Sequence, residues 1–205
     1  KMAVHADNLI ANPATFAFSF LSEHASKKTK VALHGGGSDE LFFGYDTYYA
    51  NKFAKLFDLF PSGLFAQVSR FLKFLPASHK KLALDYKVKK FFDNLGSSPL
   101  QRHYHWRTIL TEKEKKIFLK DVENLKPSSW SYEACYSKYE GLDFDEVVSR
   151  SDFDVWWCSM GNYQADITGM AHGLEMRMPY LDTPLREFLY KLPAHSKFSL
   201  FNRKK

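Results

Sequence analysis

The residues best suited to chemistry lie in the run Val31-Ala32-Leu33-His34-Gly35-Gly36-Gly37-Ser38-Asp39-Glu40. Three consecutive glycines let main-chain N–H groups approach a ligand with no Cβ in the way. They follow a short apolar segment that reads as a strand and precede an acidic segment that reads as a helix start. Amides at a helix N-terminus are unpaired and sit at the positive end of its dipole. Such a turn suits phosphate or carboxylate oxygens, which makes Gly35, Gly36, Gly37 and Ser38 the candidate binding residues. No Lys-Ser or Lys-Thr follows the last glycine, so the match to a Walker-type phosphate loop is poor.

A second stretch, Asp166 to Asp182, sets Asp166, Glu175, Arg177 and Asp182 among Met176, Met178, Tyr180 and Leu181. Charged groups in such company are expected to be part-buried, and buried charges must be paired. Glu175 and Arg177, two positions apart, are read as leaving opposite sides of an extended segment, each with its own partner. A salt-bridge network between helices is the structural reading of this stretch, with Asp166 the residue that could reach the glycine site. His172 is read as a packing histidine.

Other chemistry is weighed and set aside. His34-Gly35-Gly36-Gly37 is similar to the oxyanion-hole motif of lipases, but Trp157-Cys158-Ser159-Met160-Gly161 lacks the first glycine of a nucleophile elbow. His103 and His105 have no cysteine or acid at ligand spacing, and no metal site is assigned. Cys158, between Trp157 and Ser159, is expected in the core. Two cysteines, Cys135 and Cys158, are too few for a disulfide scaffold, which leads to the expectation of a reduced, cytoplasmic setting. No window approaches a membrane span and no signal peptide opens the sequence. The net charge of +6 is spread over pairs such as Lys27-Lys28, Lys80-Lys81 and Lys115-Lys116, not gathered into a nucleic-acid footprint. The abrupt ends suggest a segment of a longer protein.

The elements that must position these residues are mostly helices. Asn12-Pro13 starts one running to about Ala25. Lys30 to Leu33 is the one convincing strand, and ligands of open α/β sheets bind beyond the carboxyl ends of strands. From Asp39 the spacing of Leu41, Phe42, Tyr45, Tyr48 and Tyr49 is helical. Breaks fall at Pro61, Pro76 and Gly96-Ser97-Ser98-Pro99. Thr111 to Glu114 is a capping box whose helix is expected to end at Lys126-Pro127. Thr183-Pro184 opens a helix with Leu185, Phe188, Leu189 and Leu192 on one face. The 19 Phe, 11 Tyr and 4 Trp supply packing anchors.

Taken together, the two motif stretches resemble the synthetase domain of glutamine-dependent asparagine synthetases. That family carries Ser-Gly-Glu/Asp-Gly-Ser/Ala-Asp-Glu-hydrophobic-Phe-Gly-Gly-Tyr where this chain has His34 to Tyr45, and Asp-Arg-x-Ser-Met-Ala-x-Ser/Gly-Leu-Glu-x-Arg-x-Pro-Phe-Leu-Asp where it has Asp166 to Asp182. Asp7 to Ala14 is similar to a third family motif, Asp-Glu-Pro-x-Ala-Asp-Pro-Ser, and Leu185 to Lys197 looks like its closing helix. The middle, about 51–149, is only loosely alike. The resemblance implies an α/β, mostly α-helical chain, part of an ATP-pyrophosphatase fold with few parallel strands. Residues 1–50 would end the α/β layer and 51–205 form a helical region. It implies an amide ligase that uses ATP and Mg²⁺ to activate the aspartate side chain, or another carboxylate, as an acyl-adenylate for attack by ammonia from a glutamine amidotransferase domain outside the segment. Asp39, acting through Mg²⁺, and Glu40 become the candidate catalytic carboxylates, with Glu40 alternatively capping its helix; Glu175, Arg177 and Asp182 become supporting residues. The family's Ser-Gly-Gly-x-Asp-Ser loop is absent, so the segment alone is expected to be inactive. Five departures stand out: Gly36 replaces an acid, Gln164 a lysine, Ile167 an arginine, and Asn8 and Asn12 two acids. They keep open a diverged amide synthetase or a non-catalytic scaffold relative.

Overall fold

The computed structural model describes residues 2–6, 12–72, 84–119 and 124–199. Most of the third motif (Asp7 to Ala11), the Pro76 break and the Lys80-Lys81 pair lie outside the described residues. After a short helix, Met2–His5 (α1), the first long one is Ala14–Ser26 (α2). Asn12 Oδ1 accepts from the Ala14 amide at its start. Val31–Leu33 (β1) follows, then Ser38–Leu41 (α3) and Asp46–Lys55 (α4). Ser62–Leu72 (α5), Leu84–Asn94 (α6) and Pro99–Arg107 (α7) form the helical middle with Glu112–Phe118 (α8) and Trp130–Lys138 (α9). Ser98 caps α7 with Pro99 in its first turn, and the Thr111–Glu114 capping box opens α8.

Phe144–Ser151 (α10), a π-helical run Asp152–Gly161 and Asn162–Met170 (α11) follow one another with helical backbone at each junction. The chain closes with Glu175–Arg177 (β2), a 3₁₀ turn Pro179–Leu181, Thr183–Lys191 (α12) and Ala194–Lys197 (α13). The fold is α/β and mostly helical, as the resemblance implies.

Three sequence expectations change. The strand is not alone: β2, read as extended at Glu175 and Arg177 but not as a second strand, pairs in parallel with β1, Leu33 opposite Arg177. Three residues before a proline-led turn are too few to show a strand period. The helix expected from Asp39 is interrupted, because Phe43 adopts φ 57° and turns the chain between α3 and α4. The helix opened by the capping box ends at Phe118, well before Lys126.

Phe43 shows why its turn holds. Left-handed backbone costs a residue with a Cβ about 1–2 kcal/mol. Here the ring is fully buried, stacked on Phe198 at 4.2 Å and edge-on to Tyr48. Burying an aromatic side chain outweighs that cost. The ring seeds one core cluster with Tyr48, Val148 and Phe198; a second gathers Leu41, Phe153, Trp157 and Leu189, and a third Ala54, Phe65, Leu95 and Trp106.

Phe43→Ala is expected to destabilise the protein by about 3–5 kcal/mol in urea denaturation. Phe43→Gly, which removes the same ring but relieves the left-handed strain, is expected to cost about 1 kcal/mol less than the alanine variant.

Candidate active site

Main-chain pairing brings the two motif stretches together. The His34 amide donates to the Arg177 carbonyl at 2.8 Å, and the Glu175 amide to the Lys30 carbonyl at 2.9 Å. The glycine turn therefore lies at the carboxyl end of a parallel strand pair, where open α/β sheets bind ligands. Gly37 has φ 86°, a left-handed conformation that glycine adopts freely, and it leads directly into α3. Gly35 is exposed, and a Cβ added there would meet nothing within 4 Å. Ser38 and Asp39 are half-buried at the start of α3.

One of the turn's amides is already used. Gly36 N–H donates to His34 Nδ1 at 3.0 Å. That bond requires an unprotonated Nδ1, and burial lowers the His34 pKa in keeping with it.

Position 36 is closed by a side chain from elsewhere. A Cβ on Gly36 would collide with Cη2 and Cζ2 of Trp157, and one on Gly161 would collide with the other edge of the same ring. Trp157 is wedged between these two glycines, lies parallel to the His34 ring at 6.3 Å and is 8% exposed. Its neighbour Cys158 is exposed, which corrects the expectation of a core cysteine: within the π-helical run it is Trp157 and Phe153 that turn inward. Ser159 lies in the same run and donates to the Val155 carbonyl; it is not on a strand-to-helix turn.

Glu40 is corrected as well. The expected catalytic carboxylate is 1% exposed. Tyr45 donates to its Oε1 at 2.6 Å, its Oε2 has no partner, and burial pushes its pKa up. Ser149 on α10 donates to its carbonyl at 2.7 Å. A carboxyl sealed from solvent meets no substrate; it ties α3 to the core.

In the second stretch the expected buried network does not form. Glu175 and Arg177 are exposed and pair with each other at 2.9 Å, because residues two apart on a strand share a face. Asp182 is exposed and caps α12 by accepting from the Leu185 amide at 3.1 Å. Asp166 is exposed on α11. His172 packs as expected, 3.0 Å from Ser19 Oγ on α2. Two of the departure positions touch: Asn12 Nδ2 donates to Gln164 Oε1 at 3.1 Å, and Gln164 is buried with its Nε2 unpartnered.

A buried charge cluster went unread in the sequence. Asp152, fully buried, accepts from Tyr132 at 3.0 Å, faces His103 Nε2 at 3.0 Å and pairs with Arg107 at 3.1 Å. Burial would raise its pKa, yet His103 and Arg107 hold it below the usual range. Asn51 reaches His103 Nδ1 at 2.8 Å, so His103 serves packing of α4, α7 and the π-helical run. The i, i+4 pair His103 and Arg107 was the available signal.

Comparison with known proteins settles the family. The sequence profile of asparagine synthase matches residues 1–205. The chain belongs to the asparagine synthase family. It is 29% identical over 201 residues to the glutamine-hydrolyzing asparagine synthetase 1 of Bacillus subtilis, covering 96% of this chain and 30% of that protein. Putative glutamine-hydrolyzing asparagine synthetases of Mycobacterium bovis and Mycobacterium tuberculosis are 27% identical over 198 residues, covering 94% of this chain and 28% of each. The chain thus spans about 30% of the length of these relatives. No solved structure matches it significantly. Among the described residues, no helix is long and apolar enough to cross a membrane.

Two measurements test the site's geometry. Gly36→Ala is expected to cost about 1–3 kcal/mol by overpacking, and much less in a Trp157→Phe background, a coupling of about 1 kcal/mol or more in the double-mutant cycle. Because the folded-state His34 pKa lies below its ordinary 6.5, the unfolded chain binds the proton more readily. Stability should fall as pH drops below about 6.5 and level off below the folded-state pKa. His34→Asn, which keeps an acceptor for Gly36 N–H, should flatten that fall in urea titrations.

Proposed function

We propose that the protein containing this chain is an ATP-dependent amide-forming ligase. It would activate a carboxylate, with aspartate as the first candidate, as an acyl-adenylate that ammonia then attacks. The observation that carries this reading is the family match over residues 1–205, supported by a glycine turn at the carboxyl end of a parallel strand beside Asp39. In this reading Gly35, Gly37 and Ser38 offer main-chain donors to anionic oxygens, with open space over Gly35 for the ligand. Gly36 makes room for the Trp157 ring, its own amide being held by His34.

ATP and Mg²⁺ fit what is present. Open space over Gly35 admits a bulky anionic group, and Asp39 offers one carboxylate, which suits a cation held mostly by phosphates and water. Mg²⁺ would neutralise phosphate charge there. Glu40 holds α3 in place, and Glu175, Arg177 and Asp182 hold β2 and α12.

The rest of the catalytic layer would come from outside these residues. Parallel sheets are covered on both faces, yet Leu33 and the α2 residues Phe16 and Phe20 are exposed. Further strands and the Ser-Gly-Gly-x-Asp-Ser loop would belong there, and the segment alone would be inactive. Ammonia would come from a glutamine amidotransferase domain, since the relatives are named glutamine-hydrolyzing. A cytoplasmic setting fits ATP chemistry and two free thiols.

A second reading, a diverged amide synthetase for another carboxylate, is favoured by Trp157 filling the space where the family carries an acid. ATP–pyrophosphate exchange by the full-length protein separates the two. Exchange driven by aspartate, and lowered about 100-fold or more by Asp39→Asn, supports the first. Exchange driven only by a different carboxylate supports the second, and no exchange with any carboxylate overturns both.

A further inference from the structure

The helical middle holds a cavity that the amide chemistry leaves unexplained. It lies between α4, α6 and α7 and measures about 580 Å³. Rings make most of its wall: Tyr49 and Phe53 on α4, Phe57 just beyond it, Phe91 and Phe92 on α6, and Trp106 on α7. These rings brace one another. Phe57 meets Phe91 at 5.7 Å and Phe92 at 5.9 Å edge-on, and Phe91 stacks on Trp106 at 5.3 Å. Such mutual contacts keep a cavity open without a filler. Tyr49, Phe57, Phe91 and Phe92 are half-buried, and Phe53 and Tyr86 are about half exposed, so a ligand arriving from solvent can touch them. None of the lining residues belongs to the glycine turn, α3 or β2.

Two lysines also line the cavity, and they differ. Lys87 is paired with Asp46 at 2.7 Å. Lys90 has no carboxylate within 4 Å among the described residues; its ammonium donates to the Thr108 carbonyl and the Tyr86 hydroxyl and lies 5.6 Å from the Tyr86 ring centre. An ammonium has three N–H groups, so one remains for a ligand. We propose that this cavity binds a planar aromatic monocarboxylate, its rings among Tyr49, Phe57 and Phe91 and its carboxylate at Lys90. Flat rings suit a wall of rings, and one cation without a carboxylate suits one negative charge. Aspartate and ammonia are too polar for such walls, and a triphosphate needs more positive charge than Lys90 gives. A recess of this volume, apolar with a few polar groups, is the form small-molecule sites take, whereas protein contacts are broader and gather more polar partners. The site stands whether or not the ligase reading does.

The test is calorimetric titration of the full-length protein with 2-naphthoate, beside naphthalene-2-carboxamide as the uncharged bicycle and decanoate as the aliphatic acid. 2-Naphthoate is expected to bind saturably, one per chain, with the amide and decanoate each about tenfold weaker. Lys90→Met, which keeps an apolar stem, should lower 2-naphthoate affinity to that of the amide and leave amide binding in place. Val88→Trp, which sets a ring into the cavity from α6, should abolish binding of both. Where that variant does not fold, Phe53→Ala at the exposed rim should weaken both about tenfold. Binding of 2-naphthoate that neither Lys90→Met nor the wall variants change overturns the proposal, as does tighter binding of decanoate. So does an absence of saturable binding, which would point to a cavity covered by protein instead.

Discussion

Everything distinctive about this chain depends on pairing two three-residue strands that stand about 140 positions apart in sequence. Six residues of ladder are a weak interaction taken alone. They are held because both ends are gripped from behind. On one side α11 packs on β2, with Gly169 allowing Met176 close approach. On the other, α11 lies against α2, fastened through Asn12–Gln164 and Ser19–His172. Slipping the register by one would lose His34 N–H to Arg177 C=O and carry the glycine turn away from Trp157.

The long helical run from Phe144 to Met170 serves two ends at once. Its first part carries Asp152 into the buried cluster with His103, Arg107 and Tyr132. Such a cluster adds less stability than its contacts suggest, because four polar groups are taken from water. Its effect is positional: only one arrangement of α4, α7, α9 and the π-helical run satisfies all of them. Trp157 sits five residues beyond Asp152, so the cluster also sets where the indole meets the glycine turn.

Much of the plan was legible in the residues. The glycine turn, the strand before it, the Thr111 capping box and the helix after Thr183 could be read because each is local: glycine freedom, a cap and a period speak for themselves within a few positions. What could not be read depended on distant partners. The extended Glu175–Arg177 becomes a strand because β1 lies beside it. Phe43 breaks a helical pattern because Phe198, far along the chain, receives its ring. Glu40 belongs to the core because Tyr45 and α10 close over it, and no spacing in Asp39-Glu40 says which carboxylate turns inward. The exposed Glu175–Arg177 pair was misread for a simpler reason: their spacing puts them on one face.

The departures from the family pattern are easier to understand in contact than as separate substitutions. Asn12 stands where the pattern has an acid and Gln164 where it has a lysine, and the two side chains bond to each other. Removing one member of a buried ion pair strands a charge and is costly, whereas replacing both with neutral groups is nearly balanced. An amide pair keeps one hydrogen bond and leaves Gln164 Nε2 without a partner. At Gly36 the acid of the pattern is gone, and the Trp157 ring, which could not coexist with a side chain at that position, fills the space. The net effect is fewer formal charges at these positions and two buried donors, Gln164 Nε2 and Trp157 Nε1, without an acceptor.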